Sequence, residues 1–175
     1  MNVAEFLLKN GADINIQAQN GITSLMDATS RGDIDIIEFL IKNNANINIQ
    51  TNDGLTALMA AAGNGYEDIV EFFIKNNADI NIQAQDGTTA LMYAAGNGHE
   101  GIVEMLIKGG ANPNIQDKEG TVALMYAAGR GNRSMVEMLI KGGANPNIQD
   151  NLGLTALMAA ESNGHEDIVE LLTQK

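Results

Sequence analysis

Apolar and polar positions recur along this chain with a constant step of 33 residues. The clearest marker of the step is a leucine, at Leu25, Leu58, Leu91, Leu124 and Leu157. A turn glycine and a glutamine keep the same step, at Gly21, Gly54, Gly87, Gly120 and Gly153 and at Gln17, Gln50, Gln83, Gln116 and Gln149. A fixed period of this length predicts a repeat architecture in which each unit is one supersecondary element.

The period predicts one domain over residues 1–175, made of stacked repeats. The full repeats run over 18–50, 51–83, 84–116 and 117–149, with a partial repeat at 1–17 and a shortened one at 150–175. A single unit cannot bury its apolar side alone, so the stack of repeats is the unit that folds.

The first half of each repeat predicts a turn followed by a capped helix, as residues 84–116 illustrate. Asp86-Gly87 is a turn signal. Thr89 can cap a helix over residues 90–97, which Gly98 ends. Threonine keeps this cap position in the other repeats except in repeat 117–149, where Val122 replaces it.

The second half of the same repeat predicts another helix over about residues 100–108. Its apolar stripe consists of Ile102, Val103, Leu106 and Ile107. Gly109-Gly110 stops the helix by offering left-handed backbone conformations, and Asn43-Asn44 and Asn76-Asn77 take that place in two other repeats. The chain is therefore predicted to be all-α, with short irregular hairpins and no substantial sheet.

Each second helix also carries a glutamate and a lysine four residues apart. The pairs are Glu5 and Lys9, Glu38 and Lys42, Glu71 and Lys75, Glu104 and Lys108, and Glu137 and Lys141. Pairs at this spacing stabilise a helix by roughly 0.2–0.5 kcal/mol each. We interpret these charges as a solvated outer face.

The period and the pattern G-x-T-A-L-M-x-A-A-x-N-G-H-x-x-I-V-E-x-L-I resemble the ankyrin repeat, a 33-residue unit. The resemblance covers the whole chain. It implies a curved solenoid of helix pairs with hairpin loops projecting at one edge. It also implies protein binding on the concave face of hairpin tips and first helices, and it implies neither catalysis nor a cofactor.

The chain departs from the family pattern where the first helix begins. The family usually has T-P-L-H, whereas residues 23–26 read T-S-L-M, three repeats read T-A-L-M, and residues 122–125 read V-A-L-M. The missing histidine usually links repeats through hydrogen bonds. The methionines that replace it, Met26, Met59, Met92, Met125 and Met158, are predicted to pack as a buried ladder, and the alternative is a methionine-rich ligand groove.

Composition narrows the classes of partner. The net charge of -12 disfavours nucleic acid and anionic membranes, because an acidic surface repels phosphate groups. The absence of cysteine excludes disulfides, thiol catalysis and thiolate metal sites. No apolar run approaches the ~18 residues of a membrane span, and the first residues lack the pattern of a secretion signal. We therefore expect a cytoplasmic protein.

Two motifs that resemble catalytic or cofactor sites have structural interpretations. Residues 96–101 match G-x-G-x-x-G, but the dinucleotide fingerprint follows a strand and this segment follows a predicted helix. His99 and His165 are the only histidines and lie two repeats apart, too far to share a metal ion. We expect no catalytic residue, no metal and no cofactor.

The positions that vary between repeats are the candidates for partner recognition. On the outward side of the first helices they include Tyr93, Asn97, Tyr126 and Arg130. Tyrosine and arginine are enriched in binding hot spots. The alternative is a purely structural role, in which each tyrosine covers the neighbouring helix and binds no partner. Leu55, Thr88 and Thr121 vary at the hairpins, while Lys118, Arg130 and Arg133 predict a basic island suited to a partner with acidic and apolar groups.

The leading hypothesis is a non-catalytic scaffold that binds an unidentified protein. The alternative is a fragment of a larger protein whose catalytic or targeting domain lies outside this chain. The resemblance also implies possible asparagine hydroxylation at Asn15 and Asn81. We expect a monomer with weak end-to-end association through a frayed half-repeat at 1–17. We expect Glu161, which replaces an alanine of other repeats, to mark an outward face at a true C-terminal end.

Overall fold

The computed structural model describes residues 8–173, which form ten short helices joined by hairpins and tight turns. The helices are α1 Ser24–Arg31, α2 Ile34–Lys42, α3 Ala57–Asn64, α4 Glu67–Lys75, α5 Ala90–Asn97, α6 Glu100–Lys108, α7 Ala123–Gly129, α8 Arg133–Lys141, α9 Ala156–Ser162 and α10 Glu166–Thr173. No strand occurs between residues 8 and 173, so the all-α prediction is confirmed. Helices α5 and α6 have the bounds that the sequence predicted for residues 84–116.

The helices form two rows, one behind the other. The first helices of successive repeats, α1, α3, α5, α7 and α9, pack side by side, and each also packs against the second helix of its own repeat. The core lies between the rows. Leu58, Leu91 and Leu124 of the first row are at most 2% exposed, and the stripes of the second row, such as Ile102, Val103 and Leu106, are fully buried.

Threonine caps begin four of the five first helices, as predicted. The hydroxyls of Thr23, Thr56, Thr89 and Thr155 accept hydrogen bonds of 3.2–3.3 Å from the amide of the methionine three residues on. In two repeats the thioether sulfur accepts in return, since the amides of Thr23 and Thr56 lie 3.5 Å from the sulfur of Met26 and Met59. The methionine thus completes a capping box with a weak acceptor.

The buried methionine ladder is confirmed for four positions and wrong for the fifth. Met26, Met59, Met92 and Met125 are 2–7% exposed, whereas Met158 is 41% exposed. The reason is the order of stacking. Met26, for example, lies beside Leu55 and Ala60 of the following repeat. No repeat within residues 8–173 follows α9, so Met158 has no such cover.

The ends of the second helices follow the prediction, but their ion pairs follow it only in part. Asn44, Asn77 and Gly110 adopt left-handed φ angles of 69°, 60° and 98°. Glu71 pairs with Lys75 at 2.8 Å and Glu104 with Lys108 at 2.7 Å.

The predicted pair of Glu137 with Lys141 is wrong, because Glu137 binds the guanidinium of Arg133 at 3.1 Å instead. Within residues 8–173, Glu38 and Lys42 do not come within ion-pair distance of each other, so that predicted pair is also wrong.

Backbone hydrogen bonds join each hairpin to the next. Four such bonds of 2.8–3.1 Å link consecutive repeats: Asn52 N to Asn20 O, Gln85 N to Asp53 O, Lys118 N to Asp86 O, and Asn151 N to Glu119 O. The hairpins therefore form one hydrogen-bonded row rather than separate loops.

The repeated glutamine reinforces this row. The side-chain nitrogens of Gln17, Gln50, Gln83 and Gln116 each donate twice. One bond of 2.7–3.0 Å reaches the carbonyl of the turn glycine four residues on, near the start of the next repeat, and one of 2.9–3.1 Å reaches the carbonyl of the glutamine that ends that repeat. The glutamines thus connect consecutive repeats by hydrogen bonds, which explains why this position is the same in every repeat.

Asparagine and histidine supply further polar links between repeats. The side-chain oxygens of Asn15, Asn48, Asn81 and Asn114 accept backbone N–H groups of the next repeat at 2.7–2.9 Å. The Nε2 atoms of His99 and His165 lie 3.1 Å from the carbonyl oxygens of Gly63 and Gly129. These contacts link consecutive repeats in a chain that lacks the T-P-L-H histidine. Hydroxylation of Asn15 or Asn81 stays a prediction.

Some predictions concern residues outside 8–173. They are the Glu5–Lys9 pair and the first part of the half-repeat, residues 1–7. The expected fraying and end-to-end association of the half-repeat therefore stay predictions. Glu161 lies within the described range and is exposed, as predicted.

The hairpin row predicts that equivalent glycines differ in sensitivity to substitution. Gly54→Ala should cost at least about 2 kcal/mol of unfolding free energy. Its φ of 79° strains any side chain, and a Cβ would lie 2.5 Å from the backbone nitrogen of Gln85. Gly153→Ala should cost only about 1 kcal/mol, since its φ is 80° but a Cβ would meet nothing within 4 Å. Urea unfolding of both variants measures this difference, and equal costs would contradict the close-contact explanation.

The missing cap predicts a stabilising substitution. Val122 makes no side-chain hydrogen bond at the start of α7. Val122→Thr should raise the unfolding free energy by a fraction of ~1 kcal/mol, because the hydroxyl can accept from the amide of Met125 as in the other repeats. The reverse change, Thr89→Val, is the matched control and should lower it. An unchanged or lowered denaturant midpoint for Val122→Thr would count against the cap.

Candidate functional site

The hairpins and first helices together form one continuous surface, which we call the groove face. Three clefts lie along it, one at each boundary between neighbouring repeats from 18–50 to 117–149. The first cleft has a volume of about 170 Å³ and lies between Ile22, Met26, Leu55 and Ala60. The second, of about 290 Å³, shares Leu55 and Ala60 with the first and is bordered by Tyr93. The clefts are therefore contiguous.

The third cleft brings together most of the predicted recognition residues. It has a volume of about 310 Å³, and its lining includes Thr88, Tyr93, Asn97, Tyr126 and Arg130. Tyr93 and Asn97 also line the second cleft. The variable positions on three different elements, the hairpin and the helices α5 and α7, thus meet in one place.

The two tyrosine rings are less exposed than predicted. Both rings are half-buried rather than fully outward. Each lies over a glycine of the preceding repeat: a Cβ on Gly63 would come 3.6 Å from Cδ1 of Tyr93, and one on Gly96 would come 3.7 Å from Cδ1 of Tyr126. Gly63 and Gly96 therefore make room for the tyrosine of the next repeat.

A buried carboxylate holds Tyr126. Asp117 is 8% exposed and accepts the amides of Glu119 and Thr121 at 3.1 and 2.8 Å on one oxygen. The hydroxyl of Tyr126 donates to its other oxygen at 3.2 Å. Burial, with the negative charge and hydrogen bond of Asp117, raises the pKa of Tyr126 to about 12. Burial also raises the pKa of Tyr93, and the charge of Asp86 adds to the rise.

Two predicted residues lie outside the clefts. The guanidinium of Arg133 donates to Glu137 at 3.1 Å and to the carbonyl of Asp167 at 2.6 Å, which places it among the second helices. The predicted basic island is therefore wrong in this part, and Arg130 is its member in the third cleft. Thr121 belongs to the hairpin, where its carbonyl accepts the amide of Asp117 at 3.0 Å.

Asp86 and Asp117 were missed by sequence reasoning. Asp86 lines the third cleft, although as part of an Asp-Gly pair it reads as an ordinary turn residue. The signal for Asp117 was present, since its position holds Ala18, Thr51 and Ala84 in the three repeats before it, although the last repeat also has an aspartate there, Asp150. An acid that replaces an alanine or threonine, nine residues before a tyrosine, was the available clue.

The motifs resembling catalytic or cofactor sites have the expected structural context. The G-x-G-x-x-G segment connects helix α5 to helix α6, so it lacks the strand that dinucleotide binding requires. Within residues 8–173, no group of three or more metal-ligand side chains is close enough to hold a metal ion. In the same range, no helix is both long and apolar enough to cross a membrane.

The environment of Tyr126 predicts a specific dependence of stability on pH. A pKa raised from 10.0 to about 12 means that folding favours the neutral phenol. The resulting stabilisation is fully present below pH 10 and is lost as the pH rises through about 12. Tyr126→Phe should remove the highest-titrating tyrosinate from the absorbance titration and flatten stability over this range. A Tyr126 midpoint near 10 would contradict this account.

Comparison with known proteins identifies one family. The sequence profile described as Ankyrin repeats (3 copies) matches four overlapping stretches, at residues 1–84, 25–117, 64–150 and 91–175, which together span the chain. A search of the curated proteins found no match.

Proposed function

This chain belongs to the ankyrin repeat family, and we propose that it is a non-catalytic scaffold that binds a partner protein along its groove face. Ankyrin repeats are generally protein-interaction modules. The observation that carries the proposal is the row of three contiguous clefts, which ends at two tyrosines and an arginine. Shallow, connected clefts suit a polypeptide that lies across several repeats rather than a compact small molecule.

The division of labour between positions supports this face. The glutamines and asparagines that are identical in most repeats form hydrogen bonds between repeats, and the hairpin glycines leave room for the next hairpin. The side chains in the clefts differ between repeats: one equivalent position holds Asp27, Ala60, Tyr93, Tyr126 and Ala159. Substitutions there alter the surface offered to a partner without breaking the links between repeats.

The tyrosines are the best candidates for the centre of the site. Each ring is half-buried over a glycine, which restricts its rotamers before a partner arrives. A rigid aromatic side chain loses little conformational entropy on binding and offers a large contact area. Arg130, exposed at the end of α7, can add electrostatic steering.

A peptide selection tests the proposal without knowledge of the partner. Peptides selected from a random display library on the intact chain should lose at least ~1–2 kcal/mol of binding free energy with Tyr93→Ala, as hot-spot contacts do. Tyr66→Ala is the matched control, because this tyrosine also covers a glycine of the preceding repeat, Gly32, but lies outside the three clefts. Isothermal calorimetry measures both variants, and thermal melts check that each is folded.

The proposal would be wrong if the selected peptides bind both tyrosine variants with unchanged affinity, or if Tyr66→Ala weakens them as much as Tyr93→Ala. Ala60→Ser, in the second cleft, should change binding little, since it alters one small side chain. Arg130→Ala should slow the association of acidic peptides and speed that of basic ones, because it removes a positive charge from the lining of the third cleft.

A further inference from the structure

The three clefts change in chemistry from one end of the row to the other. The first two present mainly the apolar side chains of Ile22, Met26, Leu55 and Met59. Asp27 borders the first cleft, but its carboxylate is ion-paired with Arg31. The third cleft is different, because a carboxylate lies in its lining beside two aromatic rings.

Carboxylates act on both rings of the third cleft. Burial raises the pKa of both tyrosines, and Asp86 adds to the rise at each of them, so its charge acts on both rings. Asp117 and Glu119 act in the same direction on Tyr126. Arg130 is the cation in the lining, and Lys118 is exposed at the hairpin tip. Aromatic ring faces and a carboxylate together favour a cationic side chain in the part of the cleft beside Asp86.

The spacing of the clefts restricts the shape of an occupant. Neighbouring first helices pack roughly 8–10 Å apart, so successive clefts follow at about that distance. A polyproline II segment has three residues per turn and rises about 3.1 Å per residue, so every third side chain points the same way about 9 Å further on. Its side chains therefore match the clefts in both distance and direction. An α-helix would need about seven residues for each cleft.

We propose that the groove face binds an extended partner segment in the polyproline II conformation. Apolar side chains three residues apart occupy the first two clefts, and a lysine or arginine three residues further on occupies the third, between Tyr93, Tyr126 and Asp86. This inference rests on the scaffold function proposed above, for which it specifies the chemistry of the partner.

Synthetic peptides test the inference directly. The probe is a proline-rich peptide with leucine, leucine and arginine at successive third positions, made in both chain orders and titrated into the intact chain by fluorescence anisotropy. Replacing the arginine by glutamate should weaken binding about tenfold in the better order. Moving the leucines to every second position should weaken it further, since they no longer meet the clefts.

A pair of matched variants isolates the carboxylate. Asp86→Asn removes the charge but keeps an oxygen that can accept the amide of Thr88, now at 2.9 Å. It should weaken the arginine peptide about threefold to tenfold at low salt and leave the glutamate peptide no weaker. Asp53→Asn is the control, because Asp53 occupies the equivalent turn position, is exposed, and lies outside the lining of the clefts. It changes the net charge equally and should have no effect.

Three outcomes would overturn the inference. They are equal weakening by Asp53→Asn and Asp86→Asn, equal or tighter binding of the glutamate peptide, and better binding of a helical peptide with leucines seven residues apart. If library peptides bind through Tyr93 but have acidic or helical chemistry, this inference fails while the scaffold function stands. If no peptide is sensitive to Tyr93→Ala, both fail.

Discussion

The polar links between repeats are the constraint on which the rest of the structure depends. Each glutamine amide that ends a repeat binds the turn that follows it and the carbonyl of the next glutamine, 33 residues on, and the hairpin backbones are bonded directly to one another. These bonds need their partners at the same relative position at every boundary. A constant repeat length follows, and with it the even spacing of the first helices and of the clefts between them.

Close approach at glycines is the second part of this constraint. The hairpin of one repeat lies so near Gly21 or Gly54 of the previous repeat that a Cβ would be 2.5 Å from a backbone nitrogen. His99 similarly lies over Gly65, and Tyr93 lies over Gly63. The glycines therefore serve two purposes, since some allow the turns and others make room for the following repeat. The same close contact that joins the repeats also holds the tyrosine rings in place.

The sequence was sufficient to predict the fold and insufficient to predict the details of the site. Periodicity and capping predicted the helices of residues 84–116 because those signals are local. The exposure of Met158 and the pairing of Glu137 with Arg133 were missed, because both depend on which neighbour is present and how it packs. The positions of Tyr93 and Tyr126 were predicted, but their burial was not. A helical wheel shows direction along one helix and carries no information on the adjacent repeat.

Variation between repeats does not by itself identify a recognition residue. Arg133 varies as much as Arg130, yet its guanidinium is hydrogen-bonded to Glu137 and to the backbone of Asp167, whereas Arg130 is exposed at a cleft. Asp86 is the opposite case, because it looks like a turn residue in the sequence but lies beside two aromatic rings in the structure.

The position of a residue relative to the boundary between repeats distinguishes the two cases. Residues that face this boundary from the hairpins and first helices are shared by two units, so one substitution there changes a cleft on either side, as Tyr93 does for the second and third clefts. A stack of nearly identical units can in this way acquire a distinctive surface through very few changes.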